Sequence, residues 1–418
     1  MKLAQLIKKK KATVGVVGLG YVGLPTAVAI AQAGFKVIGF DIDRKKVKAI
    51  NAGQSFIEDV SGQTLKATKN LKATSDWQAI KKCQVVLITV PTPLTLHKTP
   101  DLSYMENAAK KIAKYLRPES LVILESTTYP GTTEELLRPL LSRCHLAFSP
   151  ERIDPGNKQF ALKDIAKVVG GIDKKSLQLA VLFYKQYLKK VLSVSSTKAA
   201  EMTKLLENIF RLVNISLINE LKLFCDRAGI DIYEVIEAAK TKPFGFMPFY
   251  PGPGVGGSCI PQDPFYFSWK AREIGFYPRF IELAGEINDL MPHYTVIRIT
   301  RALNDQKRAL NGAKILVLGA AYKKDIADYR ESPALAVIKE LLHKQALVSY
   351  NDPHLPEIIL DHQSLKSLPL TDRLLQSSDC VVILTDHSAY DYDRILRQAR
   401  LIVDTRNAIK EKSAKVFK

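Results

Sequence analysis

Ala12-Thr-Val-Gly-Val-Val17, then Gly18-Leu19-Gly20-Tyr21-Val22-Gly23, then the helical pattern Leu24–Ala33, is the stretch that decides the fold. A short apolar run enters a turn of three glycines spaced GxGxxG, and a helix leaves it. The next strand-like run, Lys36–Phe40, ends at Asp41, about twenty residues on, which is the setting a dinucleotide-binding βαβ unit requires. In that setting Gly18 permits the tight turn and Gly20 lets the backbone approach a pyrophosphate. Gly23 lets helix and strand pack closely. The helix start offers free N–H groups and a positive dipole end to phosphates. Asp41 suits the two adenosine ribose hydroxyls and repels a 2′-phosphate, so the cofactor expected is NAD rather than NADP.

Outward from that unit, Val85–Val90 and Leu121–Leu124 read as further strands, and their alternation with helices predicts a parallel sheet covered on both faces. Lys198–Ala228 differs. Met202, Leu205, Leu206, Ile209 and Val213 recur at helical spacing, and no glycine or proline interrupts until Gly229. A proline- and glycine-rich loop follows from Pro243 to Pro264, then helical segments to about Leu310. Strands resume at Ile315–Leu318, Ala346–Tyr350, Val381–Thr385 and Leu401–Val403. The predicted fold is α/β: two Rossmann-like doubly wound domains joined by a long central helix and a helical middle domain. The expected divisions are 1–197 for NAD, 198–310 for the middle domain, and 311–418 for a second nucleotide-binding domain. The second domain opens with the turn Gly319-Ala-Ala-Tyr322-Lys323, which lacks the glycine triplet. A mononucleotide is therefore expected there, with Lys323 and Arg330 offering charge to phosphates.

At 418 residues the chain exceeds one core, and its composition, 46% hydrophobic and 25% charged, is that of a globular protein. The formal charge of +19 is spread along the chain, with no aromatic-basic module, so no nucleic-acid partner is expected. The lysine run Lys8–Lys11 reads as an exposed terminus. Glycines and Pro25 divide the most apolar stretch, Val14–Phe35, into strand, turn and helix, so no membrane span is expected. Five cysteines without CxxC pairing or metal-ligand spacing fit a reduced, cytoplasmic protein with no metal.

Tyr250-Pro-Gly-Pro-Gly-Val-Gly-Gly-Ser-Cys259-Ile-Pro-Gln-Asp263 makes poor core and a good ligand loop. Its cysteine is either a nucleophile or a structural thiol in a tight turn. Asp263 is placed to hold a proton or orient water. Lys204 and Asn208 share a helix face, a pairing that suits an oxyanion but is also common surface decoration. Glu125-Ser-Thr127-Thr-Tyr-Pro-Gly131 and Ser149-Pro-Glu151-Arg152 read as turns at strand ends, where doubly wound sheets present ligand loops.

Taken in order, GLGYVGLP at Gly18–Pro25, Val90-Pro-Thr-Pro93, the EST…PGT segment, Ser149-Pro-Glu151, Lys204-Leu-Leu-Glu-Asn208, GGSC ending at Cys259 and Tyr322-Lys323…Arg330-Glu-Ser332 resemble the nucleotide-sugar 6-dehydrogenases. That family includes UDP-glucose and UDP-N-acetylhexosamine dehydrogenases, and the resemblance spans nearly the whole chain. The wording ESTTYPGTT, SPERIDPGN and Lys242–Gly252 looks most like UDP-N-acetylglucosamine 6-dehydrogenases. The resemblance implies oxidation of a sugar C6 hydroxymethyl to a carboxylate with two NAD in turn, through a thioester on Cys259. It implies that Lys204 and Asn208 steady oxyanions, that Asp263 manages protons and water, and that Glu151 assists hydrolysis beside Thr127. Tyr21, Val22, Lys46, Thr92, Thr127 and Arg330 match cofactor contacts. Pro248, Phe249, Tyr250, Pro251, Gly252, Gly256, Lys323 and Arg406 match the substrate cradle, with Glu151 and Arg152 beside it. A homodimer through the central helix, or a higher homo-oligomer, is also implied. UDP-glucose and UDP-N-acetylmannosamine stay open as substrates, as does a non-catalytic nucleotide-sugar-binding protein of the same fold.

Overall fold

The computed structural model describes residues 2–57, 60–95, 98–152, 164–257 and 260–418. They form two compact units, Met1–Glu207 with Phe265–Phe276, and Asn208–Pro264 with Tyr277–Lys418.

The first unit is built on an eight-stranded sheet. Its strands are β1 (Thr13–Val17), β2 (Lys36–Phe40), β3 (Leu71–Thr74), β4 (Val85–Ile88), β5 (Leu121–Leu124), β6 (His145–Phe148), β7 (Lys167–Gly171) and β8 (Val191–Ser193). Their order is β3-β2-β1-β4-β5-β6-β7-β8. Neighbours pair parallel except β6 with β7, which run antiparallel with Phe148 opposite Gly170. The central strands β4 and β5, Val-Val-Leu-Ile and Leu-Val-Ile-Leu, are buried at every position, because helices cover both faces of a parallel sheet and leave no face for polar residues. The two faces make separate cores, one around Val14, Val16, Leu87 and Phe183, the other around Val17, Val86, Ile88 and Phe148. The lysine run Lys8–Lys11 is exposed as expected, and the residues leading into it, Leu3–Lys8, form a helix whose Ile7 is fully buried.

The second unit carries a five-stranded parallel sheet made of β9 (Lys314–Leu318), β10 (Leu347–Asn351), β13 (Cys380–Ile383), β14 (Ile402–Asp404) and β15 (Val416–Phe417), in the order β10-β9-β13-β14-β15. A hairpin of β11 (Glu357–Leu360) and β12 (Gln363–Lys366) follows β10. The long helix expected from Lys198 runs Thr197–Ala228 and supplies residues to both units. A second long helix, Arg279–Asp305, packs on the C-terminal sheet through Val296, Ile299 and Leu303. Among the described residues, no helix is long and apolar enough to cross a membrane.

Candidate active site

In the first unit the glycine turn is held by its neighbours. Gly18 has φ +93°, and its N–H donates to the Phe40 carbonyl at 2.8 Å. Thr89 Oγ1 donates to the carbonyls of Val17 and Gly18 at 2.9 and 2.8 Å. A Cβ on Gly23 would lie 1.8 Å from the Gly18 oxygen, so helix and turn meet backbone to backbone. A Cβ on Gly20 would meet nothing within 4 Å. The protein itself does not need a glycine there, whereas a pyrophosphate pressed against the backbone does.

The helix that follows, Gly23–Gln32, has no side-chain cap and no acidic residue in its first turn. By contrast Asp43 caps Arg44–Asn51 and Asp173 caps Lys174–Tyr184. The Leu24 N–H already donates to the Gly20 carbonyl at 3.0 Å and Pro25 has none, so the start of Gly23–Gln32 offers an anion chiefly its uncapped, positive dipole end. Asp41, just past β2, accepts the Leu19 N–H at 2.9 Å through one oxygen and the Asp43 N–H at 2.9 Å through the other. Those bonds aim its carboxylate along the turn. Tyr21 is exposed and Val22 half-buried beside it, and Lys46 Nζ lies 5.5 Å from the Phe56 ring centroid. The Thr92 carbonyl accepts from Tyr266 Oη at 2.6 Å, and Thr127 is half-buried past β5. These residues fit NAD.

Beyond β5 and β6 lies a buried charged cluster. Lys167 Nζ stands 3.2 Å from both Glu125 and Glu151, and Tyr184 Oη donates to Glu125 at 2.5 Å. Arg152 reaches the Ala166 carbonyl at 2.7 Å and Glu207 at 2.6 Å. Glu201, on the long helix, accepts from the Gly131 N–H, the Thr133 N–H and Thr133 Oγ1 at 2.5, 2.9 and 2.6 Å. Burial raises its pKa, against the pull of those donors. Lys204, one turn further, is only 9% exposed, and its amine has no hydrogen bond or ion pair among the described residues. A buried ammonium without a partner is costly unless a ligand supplies the countercharge.

In the second unit, Asn208 Nδ2 donates to Asp263 Oδ2 at 2.5 Å, and both side chains are buried. Cys259 lies outside the described residues. The loop leading to it is fixed by polar side chains of the same unit. Asn219 accepts the Gly252 N–H at 3.0 Å, Asn288 accepts the Val255 N–H at 2.7 Å, and the Gly257 N–H donates to the Arg330 carbonyl at 3.1 Å. Three glycines press on the C-terminal domain: a Cβ at Gly252 would sit 2.4 Å from Arg406 Nη1, at Gly256 2.6 Å from the Glu331 oxygen, and at Gly257 2.8 Å from the Tyr322 ring. Arg406 Nε also donates to the Leu384 carbonyl at 2.8 Å. Pro251 is buried, Pro248 and Phe249 are half-buried, and Tyr250 is exposed, donating to Glu237 at 2.6 Å. Lys323 is half-buried, and Arg330 is exposed with its guanidinium on Asp328 at 2.6 Å.

The turn after β9 differs from its counterpart in a telling way. The N–H groups of Ala320 and Ala321 are both taken by Asp352, at 2.7 and 3.0 Å. The helix Pro333–His343 is capped by Ser332. That turn has spent the donors a pyrophosphate would need. Nearby, Asp325, His354 and His387 bring ligand atoms within 4.8 Å of one another. However, His387 Nδ1 accepts the Asp325 N–H at 3.0 Å and Nε2 donates to Asp352 at 3.1 Å. The Asp325 carboxylate is held by Ser388 at 2.7 and 2.6 Å. The trio ties two loops together and offers no spare imidazole lone pair on His387 to a metal.

Sequence reasoning missed Glu201, Asn219, Asn288 and Tyr266, and with them the Glu125–Lys167–Tyr184 cluster. Only Glu201, an acid between Ala200 and Met202 near the start of the long helix, carried a faint local signal.

Three family domains cover most of the chain: the NAD binding domain of the UDP-glucose/GDP-mannose dehydrogenase family matches residues 12–188, its central domain 198–290, and its UDP binding domain 316–411. The chain belongs to the UDP-glucose/GDP-mannose dehydrogenase family. As a member of the UDP-glucose/GDP-mannose dehydrogenases it is an NAD-dependent oxidoreductase of nucleotide sugars. It is 35% identical over 409 residues to a UDP-N-acetyl-D-mannosamine dehydrogenase of Methanococcus maripaludis, covering 94% of this chain and 92% of that one. It is 38% identical over 354 residues to a UDP-N-acetyl-D-glucosamine 6-dehydrogenase of Pseudomonas aeruginosa, covering 82% and 83%. Among solved structures, the UDP-D-ManNAc dehydrogenase of Pyrococcus horikoshii matches with a TM-score of 0.88 and 34% identity, covering 97% of each chain.

Proposed function

We propose that this UDP-sugar dehydrogenase oxidises the C6 hydroxymethyl of UDP-N-acetylglucosamine to the carboxylate through a thioester on Cys259. The observation that carries the reading is Lys204, a buried ammonium with no partner among the described residues. Such a charge, held out of water, lowers the energy of an alkoxide at C6. NAD, when bound, supplies the hydride acceptor for both oxidations.

The remaining work falls to the chain. Asn208, its amide on Asp263, orients that carboxylate and with Lys204 steadies the oxyanions. Asp263 takes and returns protons. The Cys259 thiol adds to the C6 aldehyde as a thiohemiacetal, whose oxidation leaves a thioester. Water assisted by Glu151, with Thr127 alongside, then releases the acid and restores the thiol. The other cysteines suit this poorly. Burial pushes Cys83 to about 12, Cys144 to about 11 and Cys380 to about 12, and Cys225 is buried in its helix.

Gly18, Gly20, Tyr21, Val22, Gly23, Asp41, Lys46, Thr92 and Arg330 hold the cofactor. Arg152, Pro248 to Gly252, Gly256, Lys323 and Arg406 hold the UDP-sugar. The division 1–197, 198–310 and 311–418, a cytoplasmic location and a homodimer belong to the same reading. Exposed Phe210, Leu217, Leu221 and Phe224, at helical spacing on the long helix, support the dimer. A second substrate, UDP-N-acetylmannosamine, is favoured by the relatives from Methanococcus and Pyrococcus.

A panel of UDP-sugars, with NADH counted and product mass measured, decides among these. Two NADH per sugar and an acid product are expected, with Cys259→Ser forming no acid. One NADH per sugar, or full acid formation by Cys259→Ser, overturns the thioester route.

A further inference from the structure

We propose that His387 is a positioning residue for the UDP-sugar, fixing the loop from which Lys323 meets its phosphates. The proposal rests on the reading of Lys323 given above, and its test separates the two.

The turn after β9 repeats the plan of the turn after β1. The Gly319 N–H donates to the Asn351 carbonyl at 2.9 Å, as that of Gly18 does to Phe40, and Asp352 follows β10 as Asp41 follows β2. The difference lies in the donors. From its turn Asp41 takes the Leu19 N–H, whereas Asp352 takes the N–H groups of both Ala320 and Ala321. With those backbone donors satisfied inside the protein, a phosphate there has to be met by side chains. Lys323 comes directly after this turn. A lysine head rides on a flexible four-carbon stem, so its placement depends on how firmly the backbone beneath it is held.

That backbone is pinned on both sides of Lys323. Before it, Thr385 Oγ1 donates to the Ala321 carbonyl at 2.6 Å, and the Tyr322 N–H donates to the Asp328 carbonyl at 3.0 Å. After it, the Asp325 N–H donates to His387 Nδ1 at 3.0 Å, and the N–H and hydroxyl of Ser388 donate to the Asp325 carboxylate at 2.7 and 2.6 Å. Asp325 needs that hold, because it is a non-glycine residue at φ +58°. His387 joins the two sides, for its Nε2 donates to the Asp352 carboxylate at 3.1 Å. Since Nδ1 accepts a backbone N–H, the ring proton sits on Nε2, where that carboxylate takes it. The ring has no exposed surface. His354 and Tyr390 flank it with centroids at 4.9 and 5.7 Å, and Tyr392 Oη donates to the His387 carbonyl at 3.0 Å. A ring enclosed in this way cannot swing aside, so it ties the Lys323 loop to the ends of β10 and β13.

The test is steady-state kinetics of the full-length enzyme with UDP-N-acetylglucosamine at saturating NAD, beside calorimetric titration with UDP alone. Two variants divide the bonds of the ring. In His387→Asn the side-chain oxygen falls near the place of Nδ1 and still accepts the Asp325 N–H. In His387→Gln the amide falls near the place of Nε2 and keeps only the donor to Asp352. His387→Gln should raise the KM for UDP-sugar and the Kd for UDP roughly 5–150-fold, the effect of a backbone donor left without its acceptor, with kcat and the KM for NAD within about threefold. His387→Asn should bring both back to within about threefold of wild type. Normal UDP binding by His387→Gln overturns the proposal, and so does an equal rise in both variants. Should His387→Gln not fold, Ser388→Ala decides: it removes one bond to Asp325 and should raise the Kd for UDP about threefold or more, and an unmoved Kd overturns the proposal. Lys323→Met, expected to weaken UDP binding about tenfold or more, tests the underlying reading. In that background His387→Gln should add less than about twofold, because both act through one contact, and full additivity overturns the positioning role. Wild-type UDP binding by Lys323→Met removes both claims, while weak binding there with normal binding by His387→Gln removes only the role of His387.

Discussion

Consider a single methyl group added at Gly20. The added carbon would have no neighbour within 4 Å, and Gly20 is not among the glycines held at positive φ. The fold should therefore accept it, with a small gain of about 0.4–1 kcal/mol from a stiffer unfolded chain. The cofactor should not accept it. On the proposed reading the methyl would stand where the backbone approaches the pyrophosphate. Losing one hydrogen bond to a charged group is worth about 1.5–3 kcal/mol. At about 1.4 kcal/mol per decade, Gly20→Ala should weaken NAD binding roughly 10–150-fold. Calorimetric titration with NAD, beside a thermal melt without it, reads both quantities. Gly23→Ala is the internal contrast, since its Cβ would fall 1.8 Å from a backbone oxygen. That variant should melt early whatever the cofactor does. The reasoning fails if Gly20→Ala binds NAD within about twofold of wild type, or if it melts as early as Gly23→Ala.

Glu201→Leu strands the two N–H groups and the hydroxyl that Glu201 accepts. At about 1–3 kcal/mol for each stranded donor, a loss of about 3 kcal/mol or more is expected in a denaturant titration, and a loss below 1 kcal/mol would contradict it. Asp352 is pulled two ways: burial raises its pKa, and the His387 hydrogen bond and backbone N–H groups outweigh it, leaving the folded value below the usual one. Its stabilisation is thus present above the unfolded pKa near 4 and fades as the pH falls through the lower folded value. His387→Phe brings the folded value back up, so the acid-unfolding midpoint followed by circular dichroism should move to higher pH, and a fixed midpoint would count against the pairing. Asp41→Asn keeps an acceptor for the Leu19 N–H but drops the charge that repels a 2′-phosphate. The ratio of kcat/KM for NADP over NAD should rise by about tenfold or more, the worth of roughly 1.4 kcal/mol, and an unchanged ratio would clear Asp41 of that role.

The parts legible in the sequence are those in which cause and effect lie close together along the chain. Gly18 to Gly23 and Asp41 fall within one βαβ unit, and the helix Thr197–Ala228 announces itself through 32 residues without a breaker. The strands named from the sequence come out within a residue or two, β2 and β5 at the expected bounds, whereas β3, β6, β7, β8, β11, β12 and β15 were not named. Lys204 looked as much like surface as site, because burial at one helix position depends on what packs over it. The Glu125–Lys167–Tyr184 group was invisible for a related reason. Its members are brought together by the order and direction of β5, β6 and β7, and no spacing rule encodes that. Tyr266 meeting the Thr92 carbonyl, across 174 positions, is the extreme case.

The reversed seventh strand has a consequence for where charge is delivered. In a sheet whose strands all run one way, the ligand-facing rim is furnished by whatever comes after each strand. Turning β7 around brings a strand's opening residue to that rim, and here the opening residue is a lysine. A cation arriving from the start of a strand is anchored by the ladder behind it instead of hanging on a loop. Moving Lys167 one position along would turn it to the opposite face of the sheet.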